Sequence, residues 1–154
     1  MLKLDMGGGD YPREGFINVD PYTETADIHA DMGDVPLDDN TVDEIWSCHS
    51  LEHVSKFQVV PILQEWKRIL KPGGLITIEV PSLDWICKNW LWRRTNDWHM
   101  DTIFGMQNKP GEEHRTGFTP EIMQSYLNAA GLTTKRFAIV QSHGQDTLHF
   151  EVVK

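Results

Sequence analysis

The sequence predicts an α/β fold: a doubly wound, mostly parallel sheet closed by an antiparallel C-terminal hairpin strand. Three observations predict it. Short β-rich runs are punctuated by glycine and proline instead of linkers. The centre of the chain reads strand, helix, strand, which requires a parallel pair with a right-handed crossover. The last two apolar runs are separated only by Ser142 to Asp146, a connection short enough for nothing but a hairpin, so the final strand runs antiparallel.

Leu2 to Met6 reads as a strand stopped by Gly7-Gly8-Gly9, Phe16 to Asp20 as a second closed by Pro21, Asp27 to Asp31 as a third and Val42 to Ser47 as a fourth. Ser55 with Gln58 resembles a capping box, and Val59, Ile62, Leu63, Trp66, Ile69 and Leu70 mark one face of a helix. Pro61 is tolerable only in its first turns, and Lys71-Pro72-Gly73-Gly74 ends it. Leu75 to Val80 is the strand that follows. Thr119-Pro120-Glu121 opens another helix with a capping residue, a proline at the first position and an acid beside the dipole, and Gly131 closes it. Phe137 to Val140 and Leu148 to Val153 are the hairpin strands. Residues 82–118 are the least regular and are expected to form a lid or substrate wall. The stretches Gly9 to Ile17 and Asp20 to Asp27 are too short for ordinary crossover helices. One face of the sheet is therefore thinly covered, and a homodimer through that face is expected.

With 154 residues and no internal repeat, residues 1–154 form a single domain. A net charge of -9 repels phosphate backbones and anionic lipid, so the expected partners include no nucleic acid and no membrane. Cys48 and Cys87 show no disulfide framework, no apolar run reaches membrane-spanning length, and Met1-Leu2-Lys3 leads straight into a strand. Cytoplasm is the expected compartment. Among the six tryptophans, Trp85, Trp90, Trp92 and Trp98 crowd the irregular segment. Core packing is the expected role, ahead of a stacking wall or a surface helix using Lys88, Arg93 and Arg94.

A glycine triplet after a first strand lets a ligand approach the backbone, and an acid ending the second strand, Asp20, can accept bonds from ribose hydroxyls. A plain turn with a capping acid explains the same residues. Pro12 occupies the place of the third glycine of G-x-G-x-x-G, and Asp20 comes too early for a nicotinamide dinucleotide.

The ordered series Leu4-Asp5-Met6-Gly7-Gly8-Gly9, Gly15 to Asp20, Asp31-Met32, Ser47 to Val54 and Arg68 to Gly74 resembles the class I S-adenosylmethionine-dependent methyltransferases of type 11. The resemblance implies a Rossmann-like, seven-stranded sheet, S-adenosylmethionine as cofactor, and cofactor contacts at Asp5, Gly7, Gly9, Asp20, Asp31, Met32 and Ser47. It also implies methyl transfer to a small-molecule or sugar-like acceptor, in a short form lacking the family's first helix. A hydroxyl acceptor needs a base, for which His114, His53 and Asp84 are the candidates; the Gly111 to Phe118 stretch resembles a family segment on the acceptor side. A non-catalytic cofactor-binding or assembly module is the second reading. His49-Ser50-Leu51-Glu52-His53 also matches H-x-x-E-H, the pattern of a zinc hydrolase using His49, Glu52 and His53. That chemistry needs a stable helix, whereas the pentad directly follows a strand, so no metal is expected.

Overall fold

The structure is a computed structural model that describes residues 1–93 and 97–154. Its strands are β1 (Lys3–Met6), β2 (Ile17–Val19), β3 (Val42–Cys48), β4 (Leu70–Pro81), β5 (Thr133–Ser142) and β6 (Gln145–Val153). Its helices are α1 (Val59–Ile69), α2 (Leu83–Arg93), α3 (Asp97–Phe104) and α4 (Pro120–Ala130). One six-stranded sheet runs in the order β2-β1-β3-β4-β6-β5. The pairs among β1, β2, β3 and β4 are parallel, and β6 runs antiparallel to both β4 and β5. The Rossmann-like, mostly parallel sheet with an antiparallel final strand is therefore the observed architecture.

Local chemistry explains the elements that position the site. The first apolar stripe buries Val59, Ile62, Leu63, Trp66 and Ile69. Gln58 Oε1 accepts from the Ser55 N–H as a capping box requires, but Ser55 Oγ takes Phe57 N–H, and the regular helix starts only at Val59. Pro61 thus falls in the first turn, where its missing N–H costs nothing. Thr119 caps α4 by accepting from Ile122 N–H, and Gly131 closes it in the left-handed conformation. The hairpin turn places His143 and Gly144 at φ 51° and 78°, the sign that a two-residue primed turn demands.

Helices α1 and α4 pack together over Leu4, Met6, Ile45, Ile76, Ile78, Phe150 and Val152, all at most 2% exposed. Residues alternating to the other face form a ladder of charges. Lys3 pairs with Glu44 (2.5 Å), the Arg13 guanidinium lies 4.0 Å from the Trp46 ring centre, and His149 Nδ1 lies 2.9 Å from Glu79. These contacts lie on the sheet face opposite α1 and α4.

The third strand expected over Asp27 to Asp31 shrinks to one bridge between Val19 and Ile28. Asp27 Oδ2 accepts the Asn18 N–H (2.8 Å), so a side chain takes the place of a ladder partner. The tryptophan-rich segment forms two helices, α2 and α3, joined by a Trp85–Trp98 edge contact at 5.7 Å. Core packing holds for Trp66, which is fully buried, but Trp92 is 87% exposed and Trp90 and Trp98 sit at the surface. Arg94 of the basic cluster lies outside the described residues. Among those residues, no helix is long and apolar enough to cross a membrane.

Candidate functional site

Where β1 ends, the chain turns sharply at Gly7 (φ 75°), whose N–H donates to Val19 O (2.8 Å). A Cβ at Gly7 would stand 2.7 Å from both Cβ and Oγ of Ser50, so glycine is required for space as well as conformation. Ser50 Oγ in turn donates to Met6 O (2.8 Å), tying the end of β1 to the segment after β3. No helix occupies residues 7–16. Instead Asp5 Oδ2 accepts the Arg13 N–H (2.7 Å) and Asn18 Nδ2 donates to Gly9 O (3.0 Å), which fold the loop back against the sheet.

Asp20, at the tip of β2, accepts three backbone N–H groups: Gly9 on Oδ2 (3.1 Å), and Tyr22 (2.8 Å) and Thr23 (3.0 Å) on Oδ1. A carboxylate has about four acceptor positions, so one remains on Oδ2. Across the loop, Trp66 Nε1 donates to Met32 O (2.8 Å) and fixes Met32 beside Gly7. These groups floor a cleft of about 580 Å³.

The opposite wall comes from residues 109–115. Lys109 Nζ meets Asp10 Oδ2 at 2.8 Å, which holds the Asp10 carboxyl below its ordinary pKa. The Tyr22 ring lies where a Gly111 side chain would stand, with Cε2 2.6 Å from the Cβ position. The Glu52 carbonyl accepts both Arg115 N–H (2.7 Å) and Thr116 N–H (3.1 Å), anchoring this strap to the turn after β3.

A second, mainly apolar cavity of about 250 Å³ lies behind the strap, between α2, α3 and residues 114–117. Arg115 lines both cavities. Glu52 faces the smaller one and His53 the larger. The His53 and His114 rings meet edge to face at 5.0 Å. Glu52 is 2% exposed; burial opposes its charge, but His49, with Nδ1 3.2 Å from Oε1, and His53 outweigh that and lower its pKa. His114 Nδ1 lies 3.1 Å from Thr102 O, which can only accept, so Nδ1 carries the hydrogen and Nε2 the lone pair. Burial lowers the His114 pKa more than the Glu52 charge raises it, leaving the imidazole neutral near pH 7.

Of the residues singled out from sequence, Gly7, Gly9, Asp20, Asp31, Met32 and His53 line the cleft, and His114 lines the adjoining cavity. Asp5, Ser47 and Asp84 line neither. Asp84 is exposed in the first turn of α2, where an acid suits the helix dipole. Ser47 is fully buried within β3, and Asp5 is consumed by the loop. The H-x-x-E-H pentad holds a single 3-10 turn, Leu51–His53, and not a helix presenting both histidines. Sequence reasoning missed Ser50, Tyr22, Lys109 and Arg115; only the glycines opposite Ser50 and Tyr22 hinted at them.

Asp5 gives a test of its structural part. Burial, the main cause, raises its pKa against the Arg13 N–H and charge that lower it. Such a carboxyl adds stability at acid pH that is lost as pH rises through its folded pKa. Asp5→Asn keeps an acceptor for Arg13, so urea unfolding should show a smaller stability loss between acid and neutral pH. At neutral pH the variant should match or exceed the wild type; a deficit beyond about 1.4 kcal/mol, one pKa unit, would mean the charge itself is needed.

Residues 12–78 match the family described as the methyltransferase domain. The whole chain superposes on solved methyltransferases. This is a class I methyltransferase fold. A Methanosarcina mazei S-adenosylmethionine-dependent methyltransferase aligns at TM-score 0.69 and 15% identity, covering 99% of this chain and 91% of that one. A complex between the Haloferax volcanii Trm112 methyltransferase activator and a methyltransferase gives 0.68 and 17%, covering 99% and 81%. A Burkholderia thailandensis 1,6-didemethyltoxoflavin-N1-methyltransferase with bound substrate and S-adenosylhomocysteine gives 0.67 and 15%, covering 99% and 70%. No curated protein matches this chain. At these identities the likeness speaks for the methyltransferase fold, whose glycine turn and Asp20 here floor the cleft.

Proposed function

We propose that the protein transfers a methyl group from S-adenosylmethionine to a small acceptor. The carrying observation is the junction of two cavities: a glycine-floored cleft of about 580 Å³ adjoins an apolar cavity of about 250 Å³, with Glu52, His53 and His114 between them. The residues present fit the cofactor. Gly7 and Gly9 leave the backbone bare, Asp20 retains one acceptor position for a ribose hydroxyl, and Asp31 and Met32 border the same cleft. When bound, S-adenosylmethionine supplies a methyl group already activated on a sulfonium, so the protein's task is chiefly alignment. The smaller cavity, lined by Ile86, Ile103 and Phe104, suits an apolar body of small-molecule size. The Burkholderia thailandensis relative in fold, with its bound small molecule, supports the same acceptor class. An acceptor hydroxyl emerging from the cavity meets His114 and His53, one of which takes its proton.

A non-catalytic or partner-dependent module is the second reading, favoured by the bare loop at residues 7–16 and by the activator complex among the similar structures. Calorimetry with S-adenosylmethionine and S-adenosylhomocysteine decides. Binding of both at micromolar concentration, with turnover of a small hydroxylated acceptor, is expected. No binding of either would overturn the enzyme reading, and binding with no methyl transfer to any acceptor would favour the module.

A further inference from the structure

We infer that Glu52, His53 and His114 bind a divalent first-row transition ion of the zinc type, placed to hold an oxygen of the acceptor. Each offers a ligand atom, and all three atoms lie within 4.8 Å of one another. Bonds of about 2.1 Å in tetrahedral geometry need roughly 3.4 Å between ligand atoms, a closure within reach of side-chain adjustment. Two imidazoles and one carboxylate are a donor set suited to zinc and its neighbours and poor for calcium or magnesium, which prefer oxygen.

The polar accounting points the same way. Glu52 is 2% exposed, and its only polar side-chain neighbour of its own pentad is His49, whose Nδ1 stands 3.2 Å from Oε1; Oε2 has no hydrogen-bond partner, and neither has the buried Nδ1 of His53. A carboxylate buried in this way is costly, and a cation would satisfy it directly. His114 is already oriented as a ligand: Nδ1–H donates to the Thr102 carbonyl, which leaves Nε2 with its lone pair. Metal-bound histidines are characteristically held by such a second hydrogen bond. Because Glu52 and His114 line the apolar cavity, the ion's remaining positions open toward it.

The site departs from the H-x-x-E-H pattern. His49 contacts Glu52 from the side, while the second nitrogen ligand comes from the strap at His114. Binding of the ion stands alone; only its role, holding the acceptor oxygen, rests on the methyl-transfer reading. With the ion in place the two imidazoles would serve as ligands, and the acceptor hydroxyl, acidified by the ion, would release its proton to water; in the metal-free protein a histidine takes that proton instead.

The test uses protein freed of metal with a chelator and titrated with cobalt(II), followed by its visible absorption, and with zinc(II), followed by calorimetry. One equivalent per chain and an intense four- or five-coordinate cobalt band are expected. His53→Ala and His114→Ala should each weaken binding at least ~100-fold. Asp84→Ala, which alters an exposed acid, should leave it unchanged. Glu52→Gln serves as the third variant, and circular dichroism establishes that each is folded. No stoichiometric binding, or binding that survives in the double variant of both histidines as a surface site would, overturns the inference. The cofactor is titrated in parallel: cofactor binding without metal binding leaves the proposed function standing, and metal binding without cofactor binding leaves the metal site standing.

Discussion

Trp66→Ala is expected to lower stability by about 3–5 kcal/mol, a large share of the roughly 5–15 kcal/mol typical of a domain. Trp66 is fully buried in α1 against the sheet, so truncation removes the largest side chain of the core. It also leaves Met32 O without the indole N–H that holds it at 2.8 Å. The two losses separate. Trp66→Phe keeps most of the packed ring and gives up the hydrogen bond, which should cost about 1 kcal/mol plus whatever the smaller ring leaves unfilled. Urea unfolding measures both variants. In the Phe variant the released Met32 segment should also weaken S-adenosylmethionine binding, read by calorimetry. A loss below about 1 kcal/mol for the Ala variant would contradict the packing described here.

Asp20→Asn is expected to reduce S-adenosylmethionine affinity by at least ~10-fold, a loss of about 1.4 kcal/mol or more. The carboxylate serves three N–H donors, whereas an amide has one acceptor oxygen and a donor NH₂. In its better orientation the amide oxygen keeps Tyr22 and Thr23, and the NH₂ then confronts the Gly9 N–H. The glycine loop must shift, and the position left for a ribose hydroxyl becomes a donor. The structural part should cost roughly 1–3 kcal/mol in unfolding measurements. Unchanged cofactor affinity in a variant shown to be folded would remove Asp20 from the binding site.

The sequence revealed those features whose signals are local. Helices α1 and α4 carry their start, stop and buried face within a dozen residues, and both formed nearly where expected. α2 and α3 escaped because their apolar residues surround the helix; Trp90, Leu91 and Trp92 are consecutive and all surface-exposed, so no period shows. The cleft floor was legible because Gly7 to Asp20 is contiguous. Its closure was not, since Lys109 and Asp10 lie 99 positions apart. His53 and His114 could each be named from sequence, but not their meeting. Asp5 illustrates a signal that was available: strand alternation puts Leu4 and Met6 in the core and Asp5 on the other face, where its carboxylate packs behind Gly8.

On the proposed methyl-transfer function, the strap beside the cleft has a kinetic consequence. Lys109 and Gly111 close the cofactor side, and a few residues later His114 and Thr116 form the wall of the other cavity. Both compartments thus share one short run of backbone as a wall, pinned at Asp10 and at the Glu52 carbonyl. Lifting it to exchange one ligand disturbs the grip on the other. Entry and departure are mechanically coupled, which favours an ordered sequence of ligand exchange over independent access to two separate doors.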